Sequence, residues 1–260
     1  MTKSMNDEMT LKIERTDISK NKIYNQIQSS LNKSFLFNTF DENFRNMSLR
    51  WKIAQSAELK WWQNYLKKKP EGDYRVWKKA YWTSFYKDLD LSIEKDASIL
   101  DAGCGPAGIF MIFDQYKVTA IDPLLDDYEA KLPHFDKKMY PSVDFKTLSL
   151  EELPATPQFD WVFCINAINH VDDLEKSFQK LVAATKPGGK LVVSIDAHNH
   201  SFLKHIFRAI PGDILHPHQH GLKDYEEMLT RQGCQVEASI LKDEAFIFNY
   251  YVLVAEKVLI

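Results

Sequence analysis

Nine residues near the middle of the chain, Leu100-Asp101-Ala102-Gly103-Cys104-Gly105-Pro106-Ala107-Gly108, constrain the fold more than any other segment. They complete a short apolar run, Ser98 to Ala102, that reads as a strand. Gly103 and Gly105 permit backbone angles and a close approach that a side chain obstructs. Pro106 suits the first turn of a helix, where its missing N–H costs nothing. The segment therefore reads as strand, glycine loop and helix, with bare backbone on which a ligand can lie. Asp122 ends the next apolar run, 19 residues after Gly103. A carboxylate in that position can accept both hydroxyls of a ribose. The order strand, loop, helix, strand, acid separates this segment from an ordinary tight turn followed by a surface aspartate.

The rest of the chain supplies matching units. Lys117 to Ile121, Val143 to Thr147, Phe159 to Asn166 and Lys190 to Ile195 read as further strands, followed by two more near Gln235 to Leu241 and Ala245 to Ala255. Ile109 to Gln115, Asp172 to Thr185 and Leu222 to Gln232 read as helices, the second closed by the turn Lys186-Pro187-Gly188-Gly189 and the third by Gly233. Strands separated by helices indicate a mostly parallel, doubly wound sheet, and apolar runs without alternation suit strands covered on both faces. Before it, Leu49 to Asp88 carries aromatic residues at helical spacing, split into two helices by Pro70-Glu71-Gly72-Asp73. Five of the 6 tryptophans lie between positions 51 and 82. Residues 1–30 are polar with little periodicity and are expected to be loosely ordered. Residues 31–96 are expected to form an aromatic-rich helical cap.

Composition narrows the function classes. A net charge of −3 argues against a protein that wraps nucleic acid by charge alone. No apolar run is long enough to span a bilayer, and the polar start Met1-Thr2-Lys3 lacks the core of a signal peptide, so a cytoplasmic setting is expected. The 3 cysteines are far apart and odd in number, which fits reduced thiols rather than a disulfide framework or a cysteine zinc site.

The spacing Gly103-x-Gly105-x-x-Gly108 matches the bare pattern of a dinucleotide loop, but the residues around the glycines differ. Asp-Ala-Gly-Cys-Gly-Pro at 101–106 resembles motif I of the class I S-adenosylmethionine-dependent methyltransferases. Val118-Thr119-Ala120-Ile121-Asp122 is similar to that family's second strand with its ribose acid, and Phe159-Asp160-Trp161-Val162-Phe163 to its fourth strand. Ile168-Asn169-His170-Val171 resembles the segment that follows, and Lys186 to Gly189 the turn before strand five. The likeness runs from about Ser98 to Lys257. It implies an α/β, Rossmann-like, doubly wound and mostly parallel seven-stranded sheet over residues 97–260, with an N-terminal helical cap. The implied cofactor is S-adenosyl-L-methionine, released as S-adenosyl-L-homocysteine.

Carried over by position, the backbone of Gly103, Cys104 and Gly105 passes under the methionine part of the cofactor, and Asp101 meets its amino group directly or through water. Asp122 takes the ribose and Pro123 lies beside the adenine. Ser149, followed by Leu150, stands where the family often has an aspartate near the adenine amino group. Asn166, ending strand four, either faces cofactor and substrate or caps a turn.

Methyl transfer from a sulfonium is an in-line displacement that asks mainly for alignment and exclusion of water. A base is needed only if the acceptor loses a proton. His170, His198 and His200 are the candidate catalytic residues, since the last two follow strand five directly. His216, His218 and His220, with Trp77 and Tyr81 of the cap, are candidate substrate-binding residues. For the histidines between 198 and 220, three readings stay open: proton handling, a metal site, or surface loop histidines. No metal is assigned. His170 is either a base or simply the start of the next helix. The aromatic cap is either a lid over an acceptor pocket or helix-on-sheet packing. The basic residues from Lys60 to Lys79 are either a solvated face or a docking surface. The expected activity is methyl transfer to an oxygen or nitrogen of a small molecule. The alternatives are a protein or RNA methyltransferase and a non-catalytic cofactor-binding module. The partner is a small-molecule acceptor, with nucleic acid disfavoured and the protein a monomer or homodimer.

Overall fold

In a computed structural model of the chain, the described residues are 47–198, 220–244 and 248–258, with side chains described from Trp51 onward except at Lys52 and His198. Seven strands form one sheet: β1 (Ser98–Ala102), β2 (Lys117–Ile121), β3 (Val143–Lys146), β4 (Phe159–Cys164), β5 (Thr185–His198), β6 (Cys234–Glu244) and β7 (Phe248–Lys257). Their order is β3-β2-β1-β4-β5-β7-β6. The first five run parallel, β7 runs antiparallel to β5, and β6 antiparallel to β7. The doubly wound, mostly parallel seven-stranded sheet expected from sequence is therefore present.

Among the described residues, five α-helices follow in chain order: α1 (Met47–Leu66), α2 (Glu71–Asp88), α3 (Leu125–Lys131), α4 (Leu174–Ala184) and α5 (Leu222–Arg231). Adjacent strand residues face opposite layers. Ile99, Phe163, Val192 and Val252 join Tyr74, Trp82 and Phe85 of α2 and Leu125 and Tyr128 of α3 in one core. Leu100, Val162, Leu191 and Leu253 join Phe178 of α4 and Tyr225 and Leu229 of α5 in the other. This two-sided burial is why the strands read as unbroken apolar runs. Among the described residues, no helix is long and apolar enough to cross a membrane.

Two local expectations are corrected. Ile109 to Gln115 is not an α-helix. The chain makes two 3-10 turns, Gly105–Ala107 and Ile109–Ile112, separated by an extended Gly108 (φ −76°, ψ −177°). Side chains take the backbone groups that a helix would have used: Asp101 Oδ2 accepts from Phe110 N at 2.9 Å, and the Ala107 carbonyl accepts from Trp82 Nε1 at 2.8 Å. Ile109, Phe110 and Met111 are all buried, so this segment has no solvent face to give it a helical period. The second correction concerns Lys186 to Gly189, which does not form a free turn but lies within β5. Phe159 pairs with Thr185 while Trp161 pairs with Lys190, so the extra residues bulge out, with Gly188 at φ +76°.

Candidate active site

The candidate site sits at the carboxyl edge of β1, β2 and β4, where ligands bind in open parallel sheets. The backbone of β1 turns sharply at Gly103 (φ +72°), and both Gly103 N and Cys104 N donate to the Ile121 carbonyl, at 2.8 and 3.0 Å. A Cβ on Gly103 would overlap the Ala167 side chain, so the loop after β4 lies directly against this turn. Gly105 is also left-handed (φ +57°), and its N–H donates to Asp122 Oδ2 at 3.0 Å. Asp122 Oδ1 accepts from Leu124 N at 2.8 Å, just before α3. The ribose candidate is thus fixed at the end of β2 by two backbone donors. Each carboxylate oxygen retains a lone pair for a hydroxyl. A bare glycine cradle beside an immobilised acid fits the ribose and methionine parts of S-adenosylmethionine.

Burial is the main force on both acids of the loop. Asp122 is pushed up to about 7 by desolvation and then by the charge of Glu58, against the Leu124 and Gly105 amides. Asp101 is likewise raised to about 7 by burial, opposed by the Phe110 and Ile109 amides and by Lys78. Asp101 is folded beneath the loop: a Cβ on Gly108 would overlap its Oδ2, and that oxygen holds Phe110 N. The Cys104 thiol is pushed well above its ordinary value by burial, which leaves it an unreactive packing group.

The remaining sequence candidates occupy distinct places. Pro123 is half-buried beside Asp122. Ser149 is buried and donates both its N–H and its hydroxyl to Glu152 Oε2, at 3.0 and 2.9 Å. Leu150 is buried and lies near Gly103, 3.7 Å from where a Cβ there would sit. Asn166 is exposed and left-handed (φ +57°), with its N–H on Ser194 Oγ at 2.7 Å. His170 is exposed at the end of the 3-10 turn Ile168–His170. His198 ends β5, paired with Phe248. His200, His216 and His218 lie outside the described residues. His220 packs edge-on against Tyr225, with Nδ1 3.7 Å from Asp224 Oδ2. Tyr225 in turn donates to Asn169 Oδ1 at 3.0 Å, and Asn169 Nδ2 donates to Asp196 Oδ2 at 3.1 Å. Among the described residues, no group of three metal-ligating side chains converges.

The cap packs on the loop. Trp77 stacks on Tyr81 with ring centroids 6.0 Å apart, and both are half-buried. Lys78 Nζ lies 4.5 Å from the Tyr81 and Trp82 rings, and Lys69 Nζ 4.5 Å from Tyr65, so part of the basic segment rests on aromatic faces. Trp62 Cζ2 lies 3.7 Å from where a Gly105 Cβ would be. Glu58 of α1 accepts from Tyr128 Oη at 3.0 Å and acts on Asp122 through its charge. In the sequence Trp82 is one of the five tryptophans of the aromatic cap and Glu58 a polar residue of its first helix, and the partners of neither are signalled there. The contact of Ala167 with Gly103 had no signal in the sequence.

A family model described as a methyltransferase domain matches residues 74–239. The chain belongs to that family. This methyltransferase is 28% identical over 199 residues to the ubiquinone biosynthesis O-methyltransferase of Rickettsia bellii, covering 68% of this chain and 80% of that protein. Its fold is similar to that of the Burkholderia thailandensis 1,6-didemethyltoxoflavin-N1-methyltransferase, crystallised with S-adenosylhomocysteine, at a TM-score of 0.55 and 15% identity over 86% of this chain and 92% of that one. It is also similar to the YcgJ protein of Bacillus subtilis, at a TM-score of 0.55 and 14% identity over 68% of this chain and 98% of that one. At these identities the structural likeness is one of fold. The methyltransferase is an S-adenosylmethionine-dependent enzyme of class I. These relatives lend nothing to the alternatives of a macromolecular acceptor or a non-catalytic module.

Proposed function

We propose that this methyltransferase transfers the methyl group of S-adenosylmethionine to an oxygen of a small, hydroxyl-bearing acceptor. The observation that carries the cofactor part is the Asp122 carboxylate, held by Gly105 N and Leu124 N beside the bare Gly103 backbone. The name of the Rickettsia relative supports oxygen as the methylated atom. When bound, the cofactor supplies a methyl group already activated on a cationic sulfur. The chain's own task is then geometric. Asp122 accepts the ribose hydroxyls, and Gly103 and Gly105 let the ligand lie on backbone. The half-buried Trp77 and Tyr81 contribute an aromatic wall that excludes water from an acceptor.

A hydroxyl acceptor sheds its proton on methylation, which gives a base a role. His170 is the described histidine three residues beyond the Ala167 contact, and its exposure lets it exchange that proton with solvent. The reading includes a cytosolic setting, in keeping with three buried free thiols. The test uses radiolabelled S-adenosylmethionine with small phenols and alcohols as acceptors. Asp122→Ala is expected to abolish cofactor binding and labelling together. Asp122→Ala protein that retains wild-type affinity for S-adenosylhomocysteine refutes the site. Label on an amine but never on a hydroxyl refutes the oxygen reading alone.

A further inference from the structure

Tyr250 lies near the start of β7, paired with Asp196 of β5. Its hydroxyl is enclosed, yet it makes no hydrogen bond. Ser194 and Asn166 are its polar neighbours, and Tyr81 of the cap and Asp196 add to the negative potential around it. Ser194 and Asn166 lie close enough to favour its ionised form, yet neither meets it in hydrogen-bond geometry. Ser194 Oγ is already engaged by the Asn166 amide at 2.7 Å, and Asp196 Oδ2 by the Asn169 side chain at 3.1 Å. Buried hydroxyls without a partner are uncommon because desolvation is then uncompensated, and removing this one asks only for phenylalanine.

The place of this hydroxyl is as telling as its lack of a partner. Asn166 directly precedes Ala167, the residue in contact with Gly103 of the cofactor loop. Asn166 is exposed, so solvent reaches the residue beside the enclosed hydroxyl. β4 ends two residues before Asn166, and Tyr81 of the cap is near enough to act on the phenol through its charge. The groups brought together are a phenol, a carboxamide and an aromatic ring, one residue away from the wall of the cofactor loop.

We propose that Tyr250 binds the acceptor, its hydroxyl donating a hydrogen bond to an oxygen of that molecule. The inference rests on the oxygen reading above. Burial holds the Tyr250 phenol well above its ordinary value, so it stays a neutral donor throughout the working range. The complementary group on the acceptor is an oxygen lone pair, on a phenol, an alcohol or a carboxylate.

The test compares Tyr250→Phe with wild type in full-length protein. The readouts are S-adenosylhomocysteine affinity, the unfolding midpoint of the free protein, and turnover of a panel of mono- and dihydroxybenzenes. We expect the acceptor KM to rise about tenfold, the loss of roughly one hydrogen bond. Cofactor affinity and kcat should stay within twofold. The free protein should melt no lower than wild type, because the change removes an unmatched group. A merely structural tyrosine would lower the midpoint and leave KM alone, and that result overturns the proposal. Cofactor affinity weakening in step with KM also overturns it. Wild-type protein that binds S-adenosylhomocysteine but methylates nothing in the panel removes the oxygen reading and this inference together. Unchanged KM in an active Tyr250→Phe enzyme removes this inference alone.

Discussion

Replacing Gly103 by alanine separates the two demands placed on the proposed cofactor loop. The first is conformational: at φ +72° an L-residue pays about 1–2 kcal/mol for the left-handed backbone. The second is steric, since the new Cβ would overlap the Ala167 side chain and come within 3.7 Å of Leu150 Cδ1. Overpacking of this kind adds about 1–3 kcal/mol. Gly103→Ala should therefore destabilise by about 2–5 kcal/mol, and each kcal/mol lowers Tm by about 2–4 °C in a chain of this size. Gly188 is the internal control: its φ is +76°, but nothing lies within 4 Å of its Cβ position. Gly188→Ala should show only the conformational part. Ala167→Gly in the Gly103→Ala background should recover the steric part, giving a coupling energy of about 1–3 kcal/mol in a double-mutant cycle. The assay is denaturant unfolding of wild type, the three single variants and the double variant, with S-adenosylhomocysteine titrations alongside. If Gly103→Ala costs no more than Gly188→Ala, or if Ala167→Gly gives no rescue, the account of this loop is wrong.

Asp122, at about 7, must be ionised to accept two ribose hydroxyls, so S-adenosylhomocysteine affinity should fall about tenfold between pH 8 and pH 6, as calorimetry can measure. Asp101 is raised from 3.8 to about 7 in the folded chain, so its contribution to stability is present below 3.8 and is lost as pH rises towards 7. Asp101→Asn should accordingly gain about 2–4 kcal/mol on wild type between pH 4 and pH 8 in urea unfolding. Trp82→Phe leaves the Ala107 carbonyl unpaired in the core and should cost about 1–3 kcal/mol, visible as a lower unfolding midpoint and weaker cofactor binding. For Asp160, burial pulls upward but Lys186 and Ser98 outweigh it and hold the acid at about 2. Its stabilisation is lost as pH falls from about 4 to 2, and Asp160→Asn should cost only about 1 kcal/mol at pH 7 because the pair is partly solvated.

The sheet was legible because two-sided burial leaves a signature that needs no alignment: unbroken apolar runs such as Phe159–Cys164, bounded by glycine, proline and acid. The cap helices were legible from aromatic spacing. The segment after the glycine loop misled because three consecutive buried residues, Ile109 to Met111, carry no period, and because its backbone groups are taken by Asp101 and Trp82 from distant elements. Such long-range competition is invisible to a local pattern. The same limit applies to the site. Asp122 follows from its place at a strand end, whereas the capping bond between Ser149 and Glu152 has no signal in a cofactor motif. Nothing in the sequence singles out Tyr250, since only the pairing of β7 with β5 brings it beside Asn166.

The bond from Trp82 to the Ala107 carbonyl and the shared core of α2, β1 and β4 bear on where this enzyme can be cut. A chain begun at Ser98 would keep every motif of the cofactor site and lose its support. Leu66, Tyr74, Trp82 and Phe85 fill the same apolar layer as Ile99 and Phe163, so their removal would open one whole side of the sheet to water. The helices and the loop should then exchange their amide hydrogens as one cooperative unit, closing together when cofactor binds. Domain shuffling within such a lineage would have to carry the aromatic helices along with the motifs, as a single inherited block.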